Sequence, residues 1–291
     1  MSLSFFKKLL THTLLLLPFF SSQASAEPMV WLAEKDNRSF TFLGAIHVGT
    51  ADFYPLPKAF LQRWQQADAL VVEADILQPF TPSLNPNTPA TRQVLNPEEQ
   101  QALTALAKKL NLPSSTLLQS PPWLSAITLQ MTMATQAGLS ADNGIDITLL
   151  KRAKAEKLPV IELESLTQQI ELLEGLEDHG KDLLLSTVDD WQALSEQLNC
   201  LLSAWKAGDQ QQLLKLVDDS QYNAHTDNVL INNRNRDWAD QFVHAPAYQQ
   251  GHFVVVVGAM HLFGQQGVPA LLQAEGFKVS LLTLGHSVQC R

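Results

Sequence analysis

A chain of 291 residues with 45% hydrophobic content has ample material for a packed core, which argues against a disordered protein. Its formal charge of −9, with no basic run to offset it, repels phosphate backbones, so no nucleic acid partner is expected.

The first residues read as a targeting segment. Lys7 and Lys8 precede an apolar run from Leu9 to Phe20, and Ala24-Ser25-Ala26 supplies the small residues of a cleavage site. The run is short for a bilayer span, which needs about 20 residues. The expectation is a signal peptide over 1–26 and one mature domain over 27–291, periplasmic or secreted, with no transmembrane segment. A retained anchor is the alternative.

From residue 29 the texture is strand-like: MVWLAE, a turn at 35–38, then SFTFLGAIH. A short helix over 58–67 leads to the buried-looking strand ALVVEAD. Proline and asparagine crowd 78–97, which reads as an irregular surface excursion. Helical periodicity then predicts helices beginning at Pro97 and over 122–136, 145–156, 166–175, 181–207, 211–217 and 232–243. One strand, LPVIELE, interrupts them. The last part returns to HFVVVVGAMH, a helix in VPALLQAEGF and the strand KVSLLTLG. The fold class is therefore α/β: a mixed sheet built from the N- and C-terminal segments, flanked by helices, with a mostly helical central region. Neither end alone offers enough strands for independent stability, so the two ends are expected to pair.

Two apolar runs end in the same G-A-x-H, once at Gly44–His47 and again at Gly258–His261. Glycine lets the chain turn sharply as a strand ends, and the histidine then projects beyond the sheet edge, where clefts of α/β proteins form. From adjacent strands, His47 and His261 would share one site, and imidazole is a common metal ligand. A pair of turn-capping histidines is the structural alternative.

Glu73 follows the valines of VVEAD at the strand end, and a carboxylate there is costly unless paired or bound to a cation; Asp75 more simply caps the following turn. In VIELES, Glu164 lies nearer the strand exit than Glu162 and is the better candidate. NNRNRDWADQF offers Arg234 and Arg236; a buried arginine needs a carboxylate or oxyanion partner, whereas Arg236 reads as surface. Cys200 and Cys290, the only cysteines, either form one disulfide or stay free. H-E-x-x-H, G-x-S-x-G, Walker A and G-x-G-x-x-G are all missing, which disfavours common zinc proteases, α/β-hydrolases, nucleotidases and dinucleotide enzymes.

LGAIHVG with YPLP, LVVEAD, NGIDITLLKRAKAEKLPVIELESLTQQ, NNRNRDWA and VVGAMHLFGQQGVPALLQAEGFKV follow one another in order. This series resembles the TraB/GumN family, which includes the Tiki metalloproteases and is placed near the erythromycin esterase and haem-iron-binding ChaN-like proteins. The resemblance implies a divalent-metal hydrolase site, with manganese, cobalt or zinc as the cofactor and a peptide or small molecule as substrate. By position, His47, Glu73 and His261 would form its core, with Gly44 and Gly258 at the strand exits. Glu164 falls on a leucine–glutamate pair, and Arg234 with Asn235 on an arginine–asparagine step. Glu73 or Glu164 would act as base, and Arg234 would stabilise an oxyanion. A non-catalytic haem- or metal-binding protein is the rival reading.

Overall fold

The structure is a computed structural model that describes residues 27–81, 85–219 and 223–290. The signal peptide expected over 1–26 lies outside the described residues.

Strand β1 (Val30–Lys35) turns back into β2 (Arg38–Ala45) as an antiparallel hairpin. The expected four-residue turn contracts to two, because Lys35 and Arg38 already pair. Asp36 takes φ 52°, a left-handed conformation that short polar residues tolerate. Helix α1 (Lys58–Trp64) carries the chain to β3 (Ala69–Val72). The described residues of the proline-rich excursion are irregular apart from the single-turn α2 (Thr91–Val94). Helix α3 (Pro97–Lys109) begins with a capping box: Asn96 accepts from the Glu99 N–H while Glu99 reaches back to the Asn96 N–H.

Next come α4 (Ser114–Gln119), which periodicity does not single out, then α5 (Pro122–Gln136) and α6 (Ile145–Glu156). Strand β4 (Val160–Glu162) is followed by α7 (Leu166–Glu174), α8 (Lys181–Asp189) and α9 (Trp191–Ala207). The single helix expected over 181–207 is thus broken. Asp190, a weak helix former, leaves the helical region at φ −98°, ψ 15°. The break has a packing reason. Leu183 and Leu184 of α8 bury against Trp123 and Leu129 of α5, whereas Leu202 and Trp205 of α9 belong to the core around the sheet.

Helices α10 (Gln210–Asp219) and α11 (Ala224–Asp227) precede a π-turn at Asn228–Asn232 and α12 (Asn233–His244). Strand β5 (Gly251–Gly258), a 3-10 turn at Ala259–Leu262, α13 (Val268–Ala274) and β6 (Lys278–Leu281) complete the chain.

The two ends do pair. The sheet order is β4-β3-β5-β2-β1-β6, with β4, β3, β5 and β2 mutually parallel and β1 antiparallel to both its neighbours, β2 and β6. β2 is buried along its whole length, and so is β5 from Phe253 to Val257, as expected for parallel strands covered on both faces. Each such buried aliphatic or aromatic side chain contributes about 1.5–3 kcal/mol. Cys200 in α9 and Cys290 are joined by a disulfide with Cα atoms 5.2 Å apart. Among the described residues no helix is long and apolar enough to cross a membrane.

Candidate functional site

Because β4, β3, β5 and β2 run parallel, their C-terminal ends share one edge of the sheet. Each end delivers a polar side chain there. Glu164 lies two residues past β4, Glu73 directly follows β3, His261 lies three past β5, and His47 two past β2. Edges of this kind, beyond the carboxyl ends of parallel strands, are where α/β proteins hold ligands.

The two glycines of the repeat do different things. A Cβ on Gly44 would stand 2.9 Å from Ala259 Cα, so Gly44 allows the second G-A-x-H to close against the first. A Cβ on Gly258 would lie 3.1 Å from Glu73 Oε1, 3.4 Å from His261 Cδ2 and 4.0 Å from His47 Nε2. Gly258 therefore keeps open the one space that all three side chains border. That space adjoins a cleft of about 330 Å³ lined by His47, Glu73, Asp146, Gln169 and Gly258.

Arg234, from the first turn of α12, ties the carboxylates together. Its Nη2 donates to Glu73 Oε2 at 2.6 Å and to Glu164 Oε1, and its Nε donates to Glu164 Oε2 at 3.2 Å. Gln169 Nε2 bridges the same two acids at 3.2 and 2.8 Å. All three charged side chains are largely buried. The π-turn before α12 places the Leu230 carbonyl 2.9 Å from Arg234 Nη1, and the guanidinium lies 4.7 Å from the centre of the Trp238 ring. Two carboxylates against one guanidinium leave the cluster with one excess negative charge. Burial alone would raise the Glu73 pKa. The pull of His261, Arg234 and His47, with the Gly258 N–H donating at 2.6 Å, instead brings it down to about 2. His261 is itself neutral near pH 7, so Arg234 and the charged His47 are the cations that hold Glu73 ionised.

Both histidines are tied back at Nδ1. His47 Nδ1 donates to Asp146 Oδ2 at 2.8 Å, and that bond holds its pKa above the usual histidine value. The ring stands at the mouth of the cleft with 65% of its side chain open to solvent. His261 is enclosed, and burial first, then the charges of Arg234 and His47, push its pKa down to about 3 against the pull of Glu73. An arginine only donates, so His261 Nε2, 3.1 Å from Arg234 Nη1, must be the acceptor. Nδ1 then carries the proton and donates to Asn235 Oδ1 at 2.6 Å, while the Asn235 amide nitrogen donates to the Gln266 carbonyl at 2.7 Å.

His47, with its Nδ1–H held by Asp146 and its Nε2 at the cleft, has the form metal-binding imidazoles take once Nε2 gives up its proton. Asp146 Oδ1 is buried without a hydrogen-bond partner beside this cavity. Together with Glu73 and the excess negative charge, the donor types fit a divalent cation. Among the described residues, however, no three His, Cys, Asp or Glu side chains converge as a ligand group. Arg234 itself holds His261 Nε2 and Glu73 Oε2.

His47, Glu73, Glu164, Arg234, Asn235 and His261 are thus gathered at one place, with Gly44 and Gly258 between them. Glu162 is apart, exposed and accepting from the Asp75 N–H, and Arg236 is exposed on α12. Cys200, in α9, and Cys290, in the tail, are bonded to each other. Asp146 and Gln169 were not singled out by sequence. The available signal was an acid one residue into a helix after Asn143-Gly144, and a glutamine five residues past Glu164.

The sequence model of the TraB/PrgY/gumN family matches residues 29–281. The uncharacterized protein YbaP of Escherichia coli (strain K12) is 35% identical over 248 residues, covering 84% of this chain and 92% of that one. Its Shigella flexneri counterpart, also an uncharacterized protein YbaP, is 35% identical over the same span and shares. No solved structure gives a significant match.

Proposed function

The chain belongs to the TraB/PrgY/gumN family, and from that premise we propose that it is an extracytoplasmic, divalent-cation-dependent hydrolase whose site is the Gly258 cleft. The observation that carries this reading is the delivery of two Nδ1-anchored histidines and two carboxylates by four adjacent parallel strands around one open glycine.

His47 Nε2, Glu73 and, once Arg234 Nη1 releases it, His261 Nε2 would hold the cation, which would supply electrophilic polarisation of a carbonyl and a water of lowered pKa. The chain's own groups do the rest. Asp146 keeps the His47 Nδ1 protonated and its Nε2 aimed inward. Asn235 does the same for His261. Glu73, ionised over the whole physiological range, is the proton acceptor nearest the open space. Arg234, braced on its far side by Glu164, presents a fixed positive charge where an oxyanion develops. Peptide substrates are favoured by the apolar walls of the cleft, which include Val72, Ile76 and Met131. The leader pattern and the Cys200–Cys290 bond support a compartment outside the cytoplasm.

The test is metal content by mass spectrometry on untagged protein, loaded in turn with manganese, cobalt and zinc, beside a His47→Ala/His261→Ala variant. Stoichiometric metal and cation-dependent cleavage of a peptide library, both lost in the variant, are expected. No uptake by the wild type, or full cleavage by the variant, overturns the reading.

A further inference from the structure

On the other side of His47 from the reactive cleft lies a second hollow, of about 370 Å³. Its walls are apolar: Ile46, Met131, Met133, Leu198, Leu201 and Met260. His47 and Met131 line both hollows, so the two adjoin at these side chains. The walls come from five places in the chain: the β2 exit, α5, α9, Leu216 of α10 and the 3-10 turn after β5. Met131, at the junction, is 40% exposed although it is a large apolar side chain.

The geometry points to this hollow as the subsite for a large apolar side chain of a peptide whose reacting bond lies at His47; it rests on the hydrolase reading above and names the substrate class. Three features favour such an occupant. First, the hollow borders His47, one of the groups proposed to hold the cation, so a side chain next to the reacting bond lies within reach of it. Second, three of the five methionines of the chain line it. Flexible, polarizable thioethers adapt to aliphatic and aromatic shapes alike, which suits a subsite that takes leucine, methionine or phenylalanine. Third, two primary amides, Gln130 and Gln197, border the same hollow. Gln130 spends its nitrogen on Thr187 Oγ1 at 3.1 Å and keeps its carbonyl oxygen for another donor. A peptide main chain offers donors and acceptors to such amides, whereas an alkyl chain offers none.

Methionine methyl groups labelled with carbon-13 report the hollow directly, with Met29, buried in the sheet core, as internal control. The assignments follow from Met131→Leu, Met133→Leu and Met260→Leu. The probes are acetyl-Ala-Leu-Ala-amide and acetyl-Ala-Phe-Ala-amide, with acetyl-Ala-Ser-Ala-amide and octanoate for contrast. The leucine and phenylalanine peptides should shift Met131, Met133 and Met260 saturably and leave Met29 still. The serine peptide should bind roughly ten- to a hundredfold more weakly, the value of one buried apolar side chain. Leu198→Glu should weaken the apolar peptides to the same degree. Met131→Glu, at an exposed position, serves as a second variant if Leu198→Glu does not fold. Unmoved methyls, equal shifts with the serine peptide, or saturation by octanoate alone overturn the proposal, the last in favour of an acyl-chain site. The signals need neither cation nor turnover. Peptide-induced shifts in a protein that takes up no metal would keep the subsite and remove the hydrolase; metal uptake with silent methyls would do the reverse.

Discussion

His261 and Arg234 show how single residues here trade stability for a prepared site. The His261 pKa is held at about 3 against an ordinary 6.5. As pH falls below 6.5 the unfolded chain gains a proton at this ring and the folded chain does not, so stability is lost in that direction. The slope reaches about 1.4 kcal/mol per pH unit. Glu73, lowered from 4.5, adds an acid loss of the same sign only below that value. His47 has the opposite sign: its contribution is complete below the ordinary value and fades as pH rises through its elevated pKa. Urea unfolding of the wild type should therefore become easier from neutral pH down to 4.5, and His261→Gln should flatten that trend. An unchanged slope in the variant would mean the ring is already charged in the folded protein. Arg234→Ala leaves two buried carboxylates facing each other and should cost about 3–5 kcal/mol by the same assay. Adding Glu164→Gln to it should recover part of the loss, since the repulsion between the acids disappears.

At the scale of elements, the strand exits carry the site, and their two glycines separate folding from function. Gly44→Ala drives a methyl against the Ala259 backbone at 2.9 Å, where nothing flexible can yield. Gly258→Ala instead meets the Glu73 carboxylate at 3.1 Å, the end of a side chain. The first substitution should lower the melting temperature clearly, while the second should leave it nearly unchanged and abolish metal uptake. Calorimetry and metal analysis on both variants check the pair; equal melting temperatures would contradict the assignment of roles. The exits were legible in the sequence because period and composition announce a buried strand, and a repeated G-A-x-H marks where each one stops. Asp146 was not legible in that way. It reaches His47 because Gly144 lets the start of α6 approach the His47 carbonyl, where a Cβ would stand 2.4 Å from the oxygen, and because the Ile145 N–H bonds to the Ile46 carbonyl at 3.1 Å. Such a docking is a tertiary event with no periodic trace. The break at Asp190 escaped for a related reason: helical periodicity persists on both sides of it, and only the destinations of Leu184 and Trp205 require the bend.

For the molecule as a whole, the order of the sheet makes the site depend on joining the chain's two ends. β5 inserts between β2 and β3, so His47, Glu73 and His261 become neighbours only after the last third of the chain has entered the sheet. The tail then closes over the end of α9, with the Val288 N–H on Asp209 Oδ2 at 2.8 Å, the His286 N–H on the Ala207 carbonyl at 3.0 Å, and Cys290 on Cys200. The same α9 sends the Trp205 Nε1–H to the Gly44 carbonyl at 2.9 Å, so it braces the first G-A-x-H from behind. The bond spans 90 residues, and losing a native disulfide of this kind costs about 2–5 kcal/mol. Cys200→Ser/Cys290→Ser should lower stability by that amount under oxidising conditions and match the wild type under reducing ones. Because α9 also walls the apolar hollow, the variant should further loosen Met131 and Met133 while leaving the Arg234 cluster, held by β3, β4 and α12, in place. Hydrogen exchange read along α9 and α12 distinguishes the two: faster exchange confined to α9 is expected, and equal acceleration in α12 would show that the tail holds the charged cluster as well.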